Sequence, residues 1–231
     1  LKLQTPSPEA QFAAELRGFG PVGIFAILIV LFSGNVELPN IIMLPIGAFM
    51  VLLWVHLSHT PWSSIGYKKP SSWVATIIIG TIFGIIFKLV MKAVVMPVFP
   101  ADPINHTYHF LVGNKSLLPA ASLAMITAGF GEETVFRGYM FERLGKLFGE
   151  GRIAKTWIII ITSMLFGMSH LYDQGMAGAE QATITGLAFG MIFAATGNIW
   201  MVMIAHASFD LTALAIIYSG LEERVGHFIF N

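Results

Sequence analysis

Three short stretches place ionisable side chains within apolar sequence. They are Glu132, Glu133 and Arg137 in "GFGEETVFRGYMF", His170 at the end of "FGMSH", and His206 with Asp210 in "HASFD". Carboxylates and imidazoles can shuttle protons, activate water or ligate a metal. Ionisable groups at membrane depth are expensive and need a partner or a task. Glu133 and Arg137 are four residues apart in acid-first order, so on a helix they share a face and neutralise each other. Glu132 points about 100° away, so the same arginine cannot serve it equally well. One acid is paired; the other stays free to act as a general base. His206 and Asp210 are also four apart, which puts them on one face, where they can satisfy each other locally.

The elements that must carry these residues are apolar helices. The 231 residues are 55% hydrophobic and 11% charged, with a mean hydropathy of +0.74. A soluble domain of that size cannot hide so much apolar surface, so the expected class is an all-α, polytopic membrane bundle with the lipid bilayer as solvent. The apolar runs predict about seven transmembrane helices, over 19–36, 41–57, 73–99, 117 onward, 155–171, 181–196 and 199–219. Without an internal repeat or linker, residues 1–231 are expected to form one integral-membrane domain, with the chemistry in 117–219. If the fourth and fifth helices form a hairpin turning near Glu150, Glu132 lies about eighteen residues before the turn and His170 about twenty after it, at similar depth. The pair is expected to face one water-accessible cavity on the side of the Arg143–Lys155 connection.

Charge placement suggests an orientation. Arg17, Lys68, Lys69, Arg143, Lys146, Arg152 and Lys155 fall on one side of a seven-span chain, together with Lys2. Lys115, Asp173 and the C-terminal "GLEERVGH" fall on the other. The positive-inside rule then makes the N-terminus and the even-numbered connections cytoplasmic. Lys88 and Lys92, one turn apart in the third span, are expected to snorkel or to mark its end; binding a substrate carboxylate is the alternative. His106 and His109 are expected to be solvated. Net charge is zero with no basic cluster, which argues against nucleic acid as a partner. The absence of cysteine excludes disulfides, a thiol nucleophile and thiolate metal sites. About twenty mixed residues precede the first apolar run, unlike a cleavable signal peptide.

In order, "EETVFR", "FGMSH" and "HASFD" resemble the pattern Glu-Glu-x-x-x-Arg, Phe-x-x-x-His, His-x-x-x-Asn/Asp. That is the pattern of the CAAX-protease and bacteriocin-processing (CPBP, or Abi) family of intramembrane endopeptidases. The resemblance covers about the last half of the chain, from Leu117 onward. It implies an all-helical membrane protease, without cofactor or metal, acting on a peptide or membrane-protein substrate in a prokaryotic cytoplasmic membrane. It further implies that Glu132 is the general base, with His170, for a water, and that His206 and Asp210 stabilise the oxyanion. Glu133, Arg137 and Phe166 would organise the site. Prenyl endopeptidases of the family typically carry Asn where this chain has Asp210; Asp there is common among the bacterial members, which points away from a prenylated substrate. An ionised aspartate cannot donate to an oxyanion, so either Asp210 is protonated in its apolar setting or it orients and charges His206, which then donates; the second is expected. Three alternatives stand beside this reading. Zinc could be held by the two histidines and two carboxyls, although His-Glu-x-x-His is absent. The chain could be a non-catalytic immunity or scaffold protein. It could also be a proton-coupled transporter, for which repeated halves or broken helices would be expected.

Overall fold

The computed structural model describes residues 6–33, 40–99 and 102–230. These residues are all-α, and no strand occurs among them. Helix α1 (Pro8–Arg17) starts where the Ser7 hydroxyl accepts from the Ala10 N–H at 3.2 Å. It bends by 59° into α2 (Pro21–Phe32). Next come α3 (Asn40–Leu57), which contains Pro45, and α4 (Trp73–Val90), capped by Ser72. Helix α4 runs on through a π turn (Met91–Val95) and a 3-10 turn (Met96–Val98). Helix α5 (Leu118–Glu133) passes through a second π turn (Thr134–Tyr139) into α6 (Met140–Phe148). Helix α7 (Arg152–Thr196) is broken at Gly175, whose φ of 64° lies in the left-handed region that glycine tolerates. Helices α8 (Ile199–Tyr218) and α9 (Glu222–Gly226) follow.

Three helical segments among the described residues are long and apolar enough to cross a membrane: Trp73–Val98, Arg152–Thr196 and Ile199–Tyr218. The bent α1–α2 pair makes a fourth if it counts as one span. Three to four candidate spans are thus shown among the described residues, and the expected seven are not shown. The runs expected at 155–171 and 181–196 are the two arms of α7. The run from 117 passes from 16 α-helical residues into its π turn, and the run expected at 41–57 lies within α3. Gly175 breaks α7 into its two arms, whereas the π turns after α4 and α5 carry the helical run onward. On α4, Ile77, Ile78, Ile79, Ile82 and Ile86 are exposed, as suits contact with lipid.

In lipid, helix association rests on close packing, since the tails are as apolar as the side chains. Helix α8 is approached closely on two sides through glycines. A Cβ on Gly84 of α4 would collide with the Ala205 carbonyl oxygen, and one on Gly129 of α5 would lie 2.6 Å from the Ala207 nitrogen. Around α8, Met91, Phe189, Ile199, Val202, Met203 and Phe209 form a buried cluster. These contacts set α5 and the second arm of α7 against the face of α8 that carries His206.

The two ends of the bundle are chemically distinct. At one, Arg143 donates to the carbonyls of Arg17 (3.0 Å) and Gly18 (2.9 Å), and Arg17 donates to the Ser58 carbonyl. The α6–α7 turn at Gly149 and the start of α8, where the Ile199 N–H donates to Gly66 at 3.1 Å, belong to this basic end. At the other end, the Asn105 N–H donates to Glu222 (2.9 Å) and the Thr107 hydroxyl to the Asp173 carbonyl (3.0 Å). Here the exposed His106 pairs with Asp102 at 2.9 Å. The Ile104 N–H, and then His106, hold the Asp102 carboxyl below its usual range. His109 approaches Glu222 at 4.0 Å, so both histidines are exposed but have carboxylate neighbours.

Candidate active site

Glu133, the last residue of α5, is wholly buried together with Arg137. Its Oε1 accepts from Arg137 Nη1 at 2.8 Å and from His206 Nδ1 at 2.8 Å. Arg137 Nη2 also donates to the Gly186 carbonyl at 3.1 Å, tying the π turn to α7. The guanidinium lies 4.8 Å from the centre of the Phe166 ring. Removing one partner of such a buried pair strands the other charge, at a typical loss of ~3–5 kcal/mol. The π turn itself is held by Thr134, whose hydroxyl is 2.7 Å from the Tyr67 hydroxyl. Burial raises the pKa of that Tyr67 hydroxyl, leaving it a hydrogen-bond donor.

The other nitrogen of His206, Nε2, lies 3.6 Å from Glu132 Oε2 and 3.5 Å from Asp210 Oδ2. Those separations exceed a good N–H···O bond, so an N–H at Nε2 can donate to a third oxygen between the carboxylates. His206, four residues from Asp210 on α8, thus meets the α5 carboxylates as well. The closest carboxylate on the ring is Glu133, and it occupies Nδ1. Asp210, expected to orient the ring, stands 3.5 Å from Nε2, and Glu133 makes the shorter contact at 2.8 Å. The physical reason is that packing of α5 on α8 brings Glu133 nearer than the i,i+4 neighbour.

His170 Nδ1 lies 2.9 Å from the Phe166 carbonyl. Donation to that carbonyl assigns the proton to Nδ1 and leaves Nε2 as the acceptor nitrogen. Phe166, 1% exposed, stands edge-on to both imidazoles, with its ring centre 4.7 Å from that of His170 and 5.8 Å from that of His206. It walls the two histidines together. His170 shares a cavity of about 390 Å³ with Glu132, His206 and Asp210, but is not ion-paired to Glu132 among the described residues.

The cavity continues past Lys88, Tyr108, Asp173 and Glu222. That is the end opposite the Arg143–Lys155 connection, which corrects the expected side. Eighteen residues at 1.5 Å each span ~27 Å, nearly a whole ~30 Å hydrocarbon core, so groups that far from the α6–α7 turn approach the other face. Lys88 and Lys92 also depart from expectation. Lys92 pairs with Glu222 at 3.6 Å, and Lys88 is turned inward at 7% exposure rather than snorkelling. No group of three His, Asp or Glu side chains among the described residues is arranged to hold a metal ion.

Residues 114–212 match the family model described as type II CAAX prenyl endopeptidase Rce1-like. That segment is an Rce1-like domain of the CPBP family. Neither the curated proteins nor the solved structures yielded a match to the chain. The Rce1-like domain takes in α5, α6, α7 and the part of α8 that bears His206 and Asp210. Residues lining the cavity from outside it include Lys88 and Tyr108. Burial pushes the Tyr108 hydroxyl up to about 12, so it remains a donor at neutral pH. Reading the sequence missed Tyr108 and Gln181 as cavity residues, because neither belongs to a spaced motif.

Proposed function

We propose that the chain is an intramembrane endopeptidase in which Glu132 and His170 activate a water for attack on a peptide carbonyl. The family to which the matched segment belongs consists of endopeptidases. The observation that carries the reading is the convergence of Glu132, Asp210 and the Glu133-bound His206 on one cavity that His170 also lines. Glu132 takes a proton from water as the hydroxide oxygen bonds to the carbonyl carbon. His170, through its unprotonated Nε2, accepts from the same water and aims it. The carbonyl oxygen becomes an oxyanion, to which His206 Nε2–H donates. Glu133 holds Nδ1–H of that ring, and Arg137 balances Glu133. As the C–N bond breaks, the proton on Glu132 passes to the leaving amine. A positioned oxyanion donor contributes about 10²–10³ in kcat. Asp210 sits 3.5 Å from Nε2 and supports positive charge on the ring.

The basic end is assigned to the cytoplasm by the positive-inside rule, in a prokaryotic cytoplasmic membrane. The cavity then opens toward the extracytoplasmic face, where a peptide or membrane-protein segment enters. A proton-coupled transporter finds support in the helix break at Gly175. The match over 114–212 to an endopeptidase family favours hydrolysis. The test is turnover by purified protein in liposomes in ¹⁸O-enriched water. Label is expected in the new C-terminal carboxyl, at a rate unchanged by chelators. Cleavage abolished by a chelator and restored by zinc would replace this reading with metal-assisted hydrolysis.

A further inference from the structure

Lys88 is a cation that hydrolysis as described does not use. It lies on α4 among residues that face outward: Ile85, Ile86 and Leu89 are exposed, while Lys88 is 7% exposed and lines the cavity. Its Nζ donates to Gln181 Oε1 at 3.1 Å and lies 4.6 Å from the centre of the Phe209 ring. An ammonium carries three donors. No carboxylate is within ion-pair distance of it among the described residues; of the acids around it, Asp210 lies 3.5 Å from His206 and Glu222 lies 3.6 Å from Lys92. Lys92, one turn on, contrasts in being paired with Glu222 and donating to the Pro103 carbonyl.

Gln181 extends the pattern. Lysine has no acceptor, so the amide oxygen must face Nζ, which leaves the amide N–H₂ free to donate elsewhere. The placement is equally specific. Gly84 meets α8 at Ala205 and Phe209, so Lys88 is about one turn, ~5 Å, nearer the mouth than the level of His206. A peptide reaching the catalytic groups from the mouth passes this cation.

Resting on the proposed peptidase reading, we propose that Lys88 and Gln181 form a carboxylate-binding subsite, in which the Nζ donors and the Gln181 amide grip a carboxylate of the bound peptide. The carboxylate is either the peptide's C-terminus or an acidic side chain. Both present the same two oxygens, and the subsite anchors one end of the substrate while Glu132 and His206 act deeper in the cavity. A buried charge-assisted contact of this kind is expected to change affinity about ten- to a hundredfold.

The test measures binding without turnover, so that it stands apart from hydrolysis. Protein carrying Glu132→Gln is incubated in liposomes with three pools of randomised apolar hexapeptides. One pool has free C-terminal carboxylates, one has C-terminal amides, and one is amidated but contains a single glutamate. Retained peptide is quantified for each. Retention of the free-acid pool at least tenfold above the amide pool, lost in Glu132→Gln/Lys88→Met, supports the subsite with a C-terminal carboxylate as its ligand. The same result with the glutamate pool assigns it to an acidic side chain. Equal retention of all pools by the Glu132→Gln parent overturns the proposal without any Lys88 variant, as does a preference that survives Lys88→Met. If Lys88→Met does not fold, Lys88→Arg keeps the charge and is expected to keep the preference; a folded arginine variant without it also overturns the proposal. Carboxylate-dependent binding alongside a wild type that cleaves nothing would reject the peptidase reading and leave the subsite standing.

Discussion

His206 joins the two halves of the site, because its nitrogens face different carboxylates. Nδ1 is held by Glu133 at 2.8 Å, and Nε2 looks toward Glu132 and Asp210 at 3.6 and 3.5 Å. Glu133→Gln is expected to lower stability by ~3–5 kcal/mol by stranding Arg137, and to cut hydrolysis by about a hundredfold or more as the ring loses its anchor. Thermal unfolding in detergent and turnover in liposomes check the two effects separately. Asp210 does not hold the ring's anchored nitrogen. Asp210→Asn is therefore expected to stay within about tenfold of wild-type kcat, and Asp210→Ala to lose less than Glu133→Ala. An Asp210→Ala loss exceeding that of Glu133→Ala would return the orienting part to Asp210. At this scale the sequence disclosed what lies within one helical turn: Glu133–Arg137 and His206–Asp210. The Glu133–His206 bond spans 73 positions and depends on how two helices meet, which no local spacing encodes.

Between helices, the close approaches at glycine set the catalytic distances. A side chain at Gly129 would meet the Ala207 backbone, one position from His206. Gly129→Val is expected to push α5 from α8, lengthen the Glu133–His206 contact and abolish activity, with a loss of at least the ~1–3 kcal/mol typical of overpacking. Gly145→Ala, which would meet nothing within 4 Å, is expected to behave as wild type. Unfolding midpoints and turnover of the two variants make the comparison, and a fully active Gly129→Val would show that the approach does not position the site. Apolar runs were readable as helices, and the gap between 155–171 and 181–196 anticipates the break at Gly175, but the π turns were not readable. The π turn at Thr134–Tyr139 and the break at Gly175 reflect tertiary contacts such as Tyr67–Thr134 and the fold-back of α7.

Across the whole molecule, the separation of a basic end from the cavity mouth makes a topological prediction. The chain contains no cysteine, so single introduced thiols report side unambiguously. Lys115→Cys and Glu150→Cys both replace exposed residues, one at each end. In intact cells, a membrane-impermeant maleimide is expected to label Lys115→Cys and to spare Glu150→Cys until the membrane is opened. The reverse pattern would place the cavity mouth on the cytoplasmic side. Charge asymmetry was legible from the lysines and arginines alone. The side of the cavity was not, because it depends on helix rise accumulated along α5–α6 and α7.

The most direct measurement compares the peptides in membranes and culture medium of cells producing wild type or Glu132→Gln. Glutamine keeps the shape of the side chain and removes its capacity to take a proton from water. Peptides processed by the wild type are expected to remain uncut with Glu132→Gln, while the variant accumulates and unfolds like the parent. Processing at a near-wild-type rate by Glu132→Gln would contradict the assignment of Glu132 as the base.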